Sequence, residues 1–296
     1  MNAPLYVPLE DRGVVSVDGP EAGPFLQGLI SNDIERVMDA RGIYAALLTP
    51  QGKFLHDFFV LRRGAGYLLD CEGARTGDLG QRLMAYRLRA DVALADATED
   101  YRVIALFGGD GGESAFDLPA GDGGAAPCAG GTLMRDPRGD ALGLRAVLPA
   151  DAALAFLERA GFARGIQADY ERHRIALGAP DGSRDMEVGR ATLMECGFEE
   201  LNGVDFEKGC YVGQELTART KHRGLVRRRL ARVALEGPLP PAGTPIVAGE
   251  REVGEIRSGL DGAALAVLRL ERIAAAAEAG TPLVAGDARV IPPDSP

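Results

Sequence analysis

The C-terminal part of this 296-residue chain is divided by glycine and proline into short apolar runs. From Gly224 onward these runs are residues 230–235, 245–247, 253–256 and 264–268. Short apolar runs between turn-forming residues are typical of β-strands, and several in succession indicate a small barrel. Because the chain is long enough for more than one domain, we predict a division into residues 1–225 and a C-terminal β-barrel formed by residues 226–296.

The part before this barrel alternates between strand and helix signals. Residues 43–48 are apolar, residues 54–61 are apolar except at His56 and Asp57, and Thr49-Pro50-Gln51-Gly52 between them has proline and glycine at the second and fourth positions of a type I turn. This pattern predicts a β-hairpin. Further strand and helix candidates are residues 14–17, 67–71, 79–88 and 170–177. We therefore expect interleaved α+β subdomains in residues 1–225.

The charge and hydropathy of the chain limit its partners. There are 33 Lys and Arg against 43 Asp and Glu, a formal net charge of −10, which argues against a nucleic-acid-binding protein held by phosphate contacts. No apolar stretch approaches the roughly 20 residues of a membrane span, and the N-terminus lacks the charged and apolar parts of a secretory leader. We expect a cytoplasmic protein with neither a nucleic acid nor a membrane as its partner.

The four cysteines are Cys71, Cys128, Cys196 and Cys210, and no two of them form a C-x-x-C pair. Their spacing predicts no zinc knuckle and no run that binds an iron–sulfur cluster by itself. We therefore predict no metal site made by this chain alone, and we expect reduced thiols, as is usual in the cytoplasm.

Cys210 has the surroundings of a reactive thiol. Gly209 allows a backbone conformation that other residues avoid, and good helix formers follow at 211–220. A cysteine at or just before a helix N-terminus is favoured as the thiolate by unpaired amides and the helix dipole, and Lys208 would add to this effect. The alternative is a buried cysteine that acts as a small hydrophobic side chain.

A basic run follows the cysteine. Lysine or arginine occupies positions 219, 221, 223 and 227–229, and His222 lies among them. This density indicates a surface that faces an anion, such as a carboxylate-tailed ligand or an acidic partner, and we assign Arg219 to ligand binding. The alternative is a solvated surface whose charges are balanced by acidic residues elsewhere.

Residues 208–215, Lys-Gly-Cys-Tyr-Val-Gly-Gln-Glu, resemble the signature octapeptide of the YgfZ-type folate-binding proteins, which are relatives of the aminomethyltransferase (T-protein) of glycine cleavage. Their continuation to Gly224 is similar to the mitochondrial iron–sulfur cluster assembly factor of that family. Further elements that resemble the family are Phe-Leu-Gln-Gly at 25–28 with Ser-Asn-Asp at 31–33, residues 170–180, Glu195 with Leu-Asn-Gly-Val at 201–204, and residues 254–259. The resemblance covers nearly the whole chain.

This resemblance implies an aminomethyltransferase-like α+β fold, with subdomains around a central folate pocket and a C-terminal β-barrel. It implies tetrahydrofolate as the ligand and a role in assembling or repairing iron–sulfur clusters, chiefly in [4Fe-4S] proteins, with iron–sulfur client or assembly proteins as partners. Cys210 matches the functional cysteine of the family and is the predicted catalytic residue. Glu195 matches an acid that can accept paired hydrogen bonds from a pterin, and Tyr170, Asn32 and Asp33 are predicted to line the same pocket.

The same pocket residues also have structural interpretations. Glu195 could be an exposed acid at a helix end, Tyr170 a core residue, and Asn32 with Asp33 a turn. The chain also differs from the family pattern. It contains no Trp, and Arg12 and Tyr170 stand where bacterial relatives often place pocket tryptophans. The proline and asparagine that often flank the acid are absent, since Leu-Met precedes it at 193–194 and glycine follows it at 197.

Three functions remain open from the sequence. The first is a folate-dependent factor for iron–sulfur proteins that is not a turnover enzyme, with Cys210 handling an iron or sulfur species. The second is a folate-dependent aminomethyl transferase, for which a cysteine motif is not required. The third is a non-catalytic docking module that uses residues 219–229 to hold an acidic partner.

Overall fold

The computed structural model of the chain describes residues 4–109, 116–151, 153–224 and 226–293. The strands before the predicted barrel are β1 (Leu5–Pro8), β2 (Arg12–Asp18), β3 (Ile43–Leu48), β4 (Phe54–Arg63), β5 (Gly66–Glu72), β6 (Ala93–Asp96), β7 (Tyr101–Phe107), β8 (Ala125–Cys128), β9 (Gly131–Arg135), β10 (Leu144–Pro149) and β11 (Ala163–Arg164). The helices are α1 (Ala22–Gln27), α2 (Thr76–Arg87), α3 (Ala153–Arg159), α4 (Gln167–Ala176), α5 (Gly182–Asp185) and α6 (Gln214–Arg223). Short 3-10 helices lie at Ile34–Arg36, Gly73–Arg75 and Asp140–Leu142.

These strands form two sheets. The five-stranded sheet has the order β3-β4-β5-β2-β6, and the six-stranded sheet has the order β11-β1-β7-β10-β9-β8. All neighbouring strands are antiparallel except β1 and β11. The predicted hairpin is confirmed, since β3 pairs with β4 from Ile43 opposite Val60 to Leu48 opposite Phe54.

The helix boundaries were predicted less well than the strands. Helix α2 buries Leu79 and Leu83, but it ends at Arg87 rather than at residue 88 as predicted. Leu88 then has a positive φ of 45° and is 90% exposed, so it lies outside the helix. Helix α6 begins at Gln214 rather than at residue 211. Within the described ranges, no helix is both long and apolar enough to cross a membrane.

The C-terminal strands close into a six-stranded barrel with the order β12-β15-β14-β13-β16-β17. The short apolar runs between glycine and proline predicted this barrel. Its strands are β12 (Arg228–Glu236), β13 (Pro245–Ala248), β14 (Arg251–Leu260), β15 (Ala263–Arg269), β16 (Leu283–Ala285) and β17 (Ala288–Ile291), and helix α7 (Leu270–Glu278) connects β15 to β16. Helix α7 and strands β16 and β17 were not predicted from the sequence. The division at 225/226 stays a proposal, and residue 225 lies outside the described part of the chain.

One hydrophobic core joins the two sheets and the C-terminal barrel. It contains Tyr44 from the five-stranded sheet, Val103 from the six-stranded sheet and Leu265 from the barrel, together with Phe198 from the connecting segment. The subdomains therefore surround a common centre. The predicted α+β fold with a C-terminal β-barrel is confirmed.

Asp70 links the two sheets through buried ion pairs. It lies on β5, and its side chain has no exposed area. One carboxylate oxygen accepts a hydrogen bond from Arg12 Nε at 2.8 Å, and the other accepts from Nε of Arg145, on β10 of the opposite sheet, at 2.5 Å. Burial alone would lower the pKa of Arg12, but the carboxylate of Asp70 raises that pKa above its ordinary value. Arg12 therefore stays charged inside the protein.

We expect Asp70→Asn to lower the free energy of unfolding by about 3–5 kcal/mol, because it leaves buried guanidinium groups without their anion. Urea denaturation followed by circular dichroism measures this loss. Asp18→Asn is the matched control, since Asp18 pairs with Arg63 at the surface and both are substantially exposed; it should cost about 0–1 kcal/mol. Similar small losses in the two variants would contradict a linking role for Asp70.

Candidate functional site

The residues around Cys210 pack on the segment that follows α1. We refer to residues 205–213 as the cysteine segment. At one end the amide of Asp205 donates to the carbonyl of Ser31 at 3.0 Å, and near the other end the amide of Val212 donates to the carbonyl of Gly28 at 3.1 Å. The motif at 25–33 and the octapeptide are thus two parts of one structure.

Lys208 anchors the cysteine segment between these ends. Its ammonium donates to the carbonyl oxygens of Gln27 at 2.9 Å, Ile30 at 2.8 Å and Asn32 at 2.7 Å. Burial lowers the pKa of Lys208 to about 8, although two nearby aspartates oppose this shift. The three donors of this ammonium are directed to backbone carbonyls. That Lys208 activates the thiol stays a prediction, and the geometry assigns it a structural task.

Gly213 brings the cysteine segment against the β3–β4 turn. It has a positive φ of 84°, and a Cβ atom there would lie 2.4 Å from the carbonyl oxygen of Thr49. A Cβ on Gly52 would in turn lie 2.7 Å from the carbonyl oxygen of Gly213. Gly209 has no positive φ, and a Cβ there would meet no atom within 4 Å. The special backbone position is therefore Gly213, and its assignment to Gly209 was wrong.

Cys210 is exposed on this anchored segment. It lies four positions before Gln214, the first residue of α6, so its placement at or just before a helix N-terminus was wrong. The amide of Tyr211 instead donates to the side-chain oxygen of Gln214 at 3.2 Å. Its exposure contradicts the alternative of a buried cysteine, and the reactivity of the thiol stays a prediction.

The remaining cysteines are less accessible. Cys71 and Cys196 are buried, and Cys128 has intermediate exposure. Burial raises the pKa of Cys71 to about 12 and also raises the pKa values of Cys196 and Cys128. Because the thiolate is the nucleophile and metal ligand, Cys210 is the cysteine best placed for chemistry.

The side chains of Asn32 and Asp33 form hydrogen bonds with backbone groups beside the cysteine segment. The Asn32 amide donates to the carbonyls of Tyr44 and Asn202, both at 2.8 Å. Asp33 accepts from the amide of Glu35 at 3.0 Å and so caps the Ile34–Arg36 turn. These contacts match the structural interpretation of both residues, and their role in ligand binding stays a prediction.

Tyr170 lies at the centre of the molecule, away from Cys210's exposed surface. It is 5% exposed, and its ring centroid is 6.1 Å from that of Phe107. Its hydroxyl accepts a hydrogen bond from Arg138 at 3.2 Å. Both the ring and the hydroxyl are thus engaged with protein groups.

Glu195 lies where the barrel joins the rest of the fold. One carboxylate oxygen accepts from Arg228 Nε at 3.0 Å, and the other accepts from the amide and hydroxyl of Thr192 at 3.2 and 3.1 Å. Its backbone carbonyl accepts from the amide of Leu230 at 2.8 Å. The adjoining cavity measures about 20 Å³. A pterin would require both carboxylate oxygens of Glu195 as acceptors, and both already accept hydrogen bonds at the junction with the barrel.

Three buried arginines surround the ring of Phe59 at the centre. The guanidinium carbons of Arg145, Arg138 and Arg12 lie 3.9, 4.8 and 5.7 Å from the ring centroid. Asp136 accepts two hydrogen bonds from Arg138 side-chain nitrogens, at 3.0 and 2.8 Å. We call Arg12, Arg138 and Arg145 the arginine cage.

The space inside the arginine cage is small. The central cavity, which Tyr170 and Arg12 help to line, has a volume of about 10 Å³. Small-molecule sites usually have roughly 300–1,000 Å³, and about 10–15 Å³ is the minimum for one water molecule. The residues present do not fit the pterin ring of tetrahydrofolate in this arrangement.

A larger groove lies outside the centre. It has a volume of about 580 Å³ and is bordered by β1 and the start of α4, with Glu10, Arg164 and Arg184 on its walls. Asp11 and Gln167 line both this groove and the central cavity. The groove is therefore separated from the cage by side chains rather than by a sheet.

The basic run forms an exposed surface on α6 and the start of β12. Arg219, His222, Arg223 and Arg227 are exposed. The other cations of the run pair with glutamates: Lys221 with Glu199, Arg228 with Glu195 and Arg229 with Glu200. The structure does not bring Arg219 together with Tyr170, since one is exposed on α6 and the other is in the core.

Among the described residues, no three His, Cys, Asp or Glu side chains come together as a metal site. Cys210 therefore contributes a single thiol within this part of the chain. A cluster or metal species held there would need ligands from elsewhere.

Asp70, Arg138 and Arg145 were not predicted from the sequence to be central residues. A signal was available, because Asp70 and Arg145 each interrupt an otherwise apolar strand. Charged residues in such positions are almost never fully buried unless they are paired. The pairing itself could not be predicted, since the two residues lie 75 positions apart.

Two family models match the chain. The GCVT N-terminal domain matches residues 9–113, and the domain described as CAF17, C-terminal beta-barrel domain, matches residues 227–295. The second match covers the strands of the six-stranded barrel.

Similar proteins match along most of the chain. It is 35% identical over 286 residues to the mitochondrial iron-sulfur cluster assembly factor IBA57 of Homo sapiens, with 90% of this chain and 77% of that protein covered. The IBA57 protein of Mus musculus is 34% identical over 300 residues, with the same coverage. The crystal structure of glycine cleavage system aminomethyltransferase T from Bartonella henselae has a TM-score of 0.76 and 16% identity, covering 98% of this chain and 84% of that one. The structural likeness shows the fold.

We expect Lys208→Met to loosen the cysteine segment, because it removes the group that binds three buried carbonyls. Amide hydrogen exchange in residues 205–212 should become about tenfold faster or more, as measured by mass spectrometry. Lys221→Met is the matched control: Lys221 is exposed and pairs with Glu199 at the surface, so its loss should leave exchange in the segment unchanged. Identical exchange in both variants would exclude the anchoring role.

Proposed function

Since the chain belongs to the IBA57/YgfZ family, within the aminomethyltransferase superfamily and with a CAF17-type C-terminal barrel, we propose that it supports the assembly or repair of iron–sulfur clusters, chiefly in [4Fe-4S] proteins. The human and mouse relatives are named as iron-sulfur cluster assembly factors. We propose that this chain acts as such a factor rather than as a turnover enzyme.

The observation that carries this proposal is the exposed thiol of Cys210 on a rigidly held segment. Lys208 and Gly213 fix the backbone on either side of it. A free thiol at the surface can reach a partner protein, whereas the thiols of Cys71 and Cys196 cannot. We propose that Cys210 binds an iron or sulfur species during transfer.

A single thiol needs help to hold such a cargo. The described residues supply no cluster of three candidate ligands, and iron–sulfur clusters are usually held by four cysteine thiolates. On this proposal the remaining ligands come from an iron–sulfur client or assembly protein that docks beside Cys210. The chain would then contribute one ligand and a surface.

Replacement of Cys210 by Ala tests the proposal in cells. In a strain that lacks the gene, a wild-type copy should restore the activity of [4Fe-4S] enzymes, and the Cys210→Ala copy should restore about a tenth of it or less. Cys128→Ala is the matched control, because Cys128 is partly accessible but lies on β8, in the six-stranded sheet. Equal amounts of the two variants should be checked by immunoblot. Full rescue by Cys210→Ala would contradict the proposed function.

Tetrahydrofolate stays a prediction that comes from the family. The match to the GCVT N-terminal domain supports it, while the central cavity of about 10 Å³ counts against it. We therefore assign no step of the function to a folate. The cytoplasmic location likewise stays a prediction.

An aminomethyl transferase is the weaker alternative. That reaction needs a folate positioned beside the aminomethyl carrier, and the closed centre gives it no room. An exposed, anchored cysteine has no task in such a transfer. Folate-dependent release of ammonia from an aminomethyl-lipoyl carrier would restore this alternative.

The exposed cations of α6 favour a docking surface for an acidic partner. Arg219 and Arg223 lie on the helix that follows the cysteine segment, and both are exposed. Surface charges of one sign steer partners of the opposite sign and are screened by salt. We propose that a partner with an acidic surface docks here and reaches Cys210.

The double variant Arg219→Glu and Arg223→Glu should reduce rescue of [4Fe-4S] enzyme activity several-fold without lowering the unfolding midpoint. The matched control is Arg251→Glu with Arg289→Glu, two exposed barrel arginines, which should rescue fully. Rescue by the α6 variant at the level of the wild type would rule out the docking surface, and it would leave the result for Cys210→Ala unaffected.

A further inference from the structure

The centre of the fold is filled by charged side chains from separate elements. Arg12 comes from β2, Arg145 from β10, and Arg138 from the segment between β9 and β10. All three are at most 8% exposed. Their guanidinium groups lie around the single ring of Phe59. The arginine cage therefore occupies the point where both sheets face each other.

Every guanidinium of the cage has fixed partners. Arg12 and Arg145 share the carboxylate of Asp70. Arg138 binds Asp136 and also donates to the carbonyl of Pro180 at 3.1 Å and to the hydroxyl of Tyr170 at 3.2 Å. Each arginine of the cage is thus held to a carboxylate, and the cavity that the three line measures about 10 Å³.

The charges of the cage are also balanced. Asp70 and Asp136 are paired with the arginines, and Asp181 lies 3.7 Å from Arg12. Asp57 accepts a hydrogen bond from the hydroxyl of Tyr44 at 2.8 Å, and burial raises the pKa of Asp57. Because carboxylates already face the guanidinium groups, the cage offers little attraction to a carboxylate-bearing ligand.

Admission of a ligand ring would require a guanidinium to leave its carboxylate. Separating a buried ion pair is costly because the remaining charge stays desolvated. The free-energy cost of this separation would lower the affinity of the ligand by about 10²-fold to 10³-fold. The closed arrangement is therefore strongly favoured over an open one.

We infer that in this chain the arginine cage takes the place of a bound pterin, so that the centre is a structural polar core and excludes folates. Arg12, Arg138 and Arg145 are then the residues that determine this specificity. The fold keeps its modules together by ion pairs among its own side chains. The inference does not depend on the role of Cys210.

Titration of the full-length protein with 5-formyltetrahydrofolate tests this inference. Isothermal calorimetry should give no saturable heat up to about 1 mM ligand. The unfolding midpoint should also stay constant, whereas a ligand at 100 times its Kd would raise it by roughly 5 °C or more. Saturable binding that Tyr170→Ala, in the lining of the central cavity, weakens tenfold would overturn the inference.

Two further outcomes have defined meanings. Binding that survives Tyr170→Ala but is lost in Arg164→Glu would place the ligand in the outer groove of about 580 Å³, and the centre would remain closed as inferred. If Tyr170→Ala fails to fold, Tyr170→Phe, which removes only the hydroxyl bound by Arg138, decides the matter. Because the readout is binding in vitro, its failure is distinct from failure of the rescue test of Cys210.

Discussion

The buried carboxylate of Asp70 is the interaction on which the arrangement of the subdomains depends. It binds one arginine from its own sheet and one from the opposite sheet. Since the charges are desolvated, neither arginine can separate from Asp70 without a large cost in free energy. The pairs therefore fix how the two sheets face each other, and with the hydrophobic core around Phe59 they close the centre. The barrel is attached to this unit in turn, through Glu195 and its pair with Arg228.

The region around Cys210 differs from this closed centre, because its functional side chain is exposed. The backbone is held firmly, by Lys208 on one side and the close approach of Gly213 on the other, while the thiol itself faces solvent. A rigid segment presents a reactive group at low entropic cost when a partner binds. The two regions thus differ: charged side chains inside maintain the fold, whereas the thiol of Cys210 is exposed on the segment that precedes α6.

Local sequence patterns predicted the strands and the barrel because these depend on alternation and on turn-forming residues. The hairpin of β3 and β4 is an example, since proline and glycine fix its turn. Helix ends were predicted less well. The good helix formers lie at 214–219, and Gly213 before them has a left-handed conformation that the close packing against Thr49 requires. The predicted start at residue 211 did not take account of the low helix propensity of glycine or of this contact with a distant segment.

The sequence by itself determined the family, the barrel and the identity of the candidate thiol, because each depends on residues that are close together in the chain. Only the tertiary structure decided that Cys210 is exposed, that Lys208 binds carbonyls 176 to 181 positions away, and that Arg12, Arg138 and Arg145 fill the centre. The physical reason is that burial and ion pairing are set by which segments meet in space. Local residue spacing cannot predict that Arg12 and Arg145, which lie 133 positions apart in the sequence, share one carboxylate.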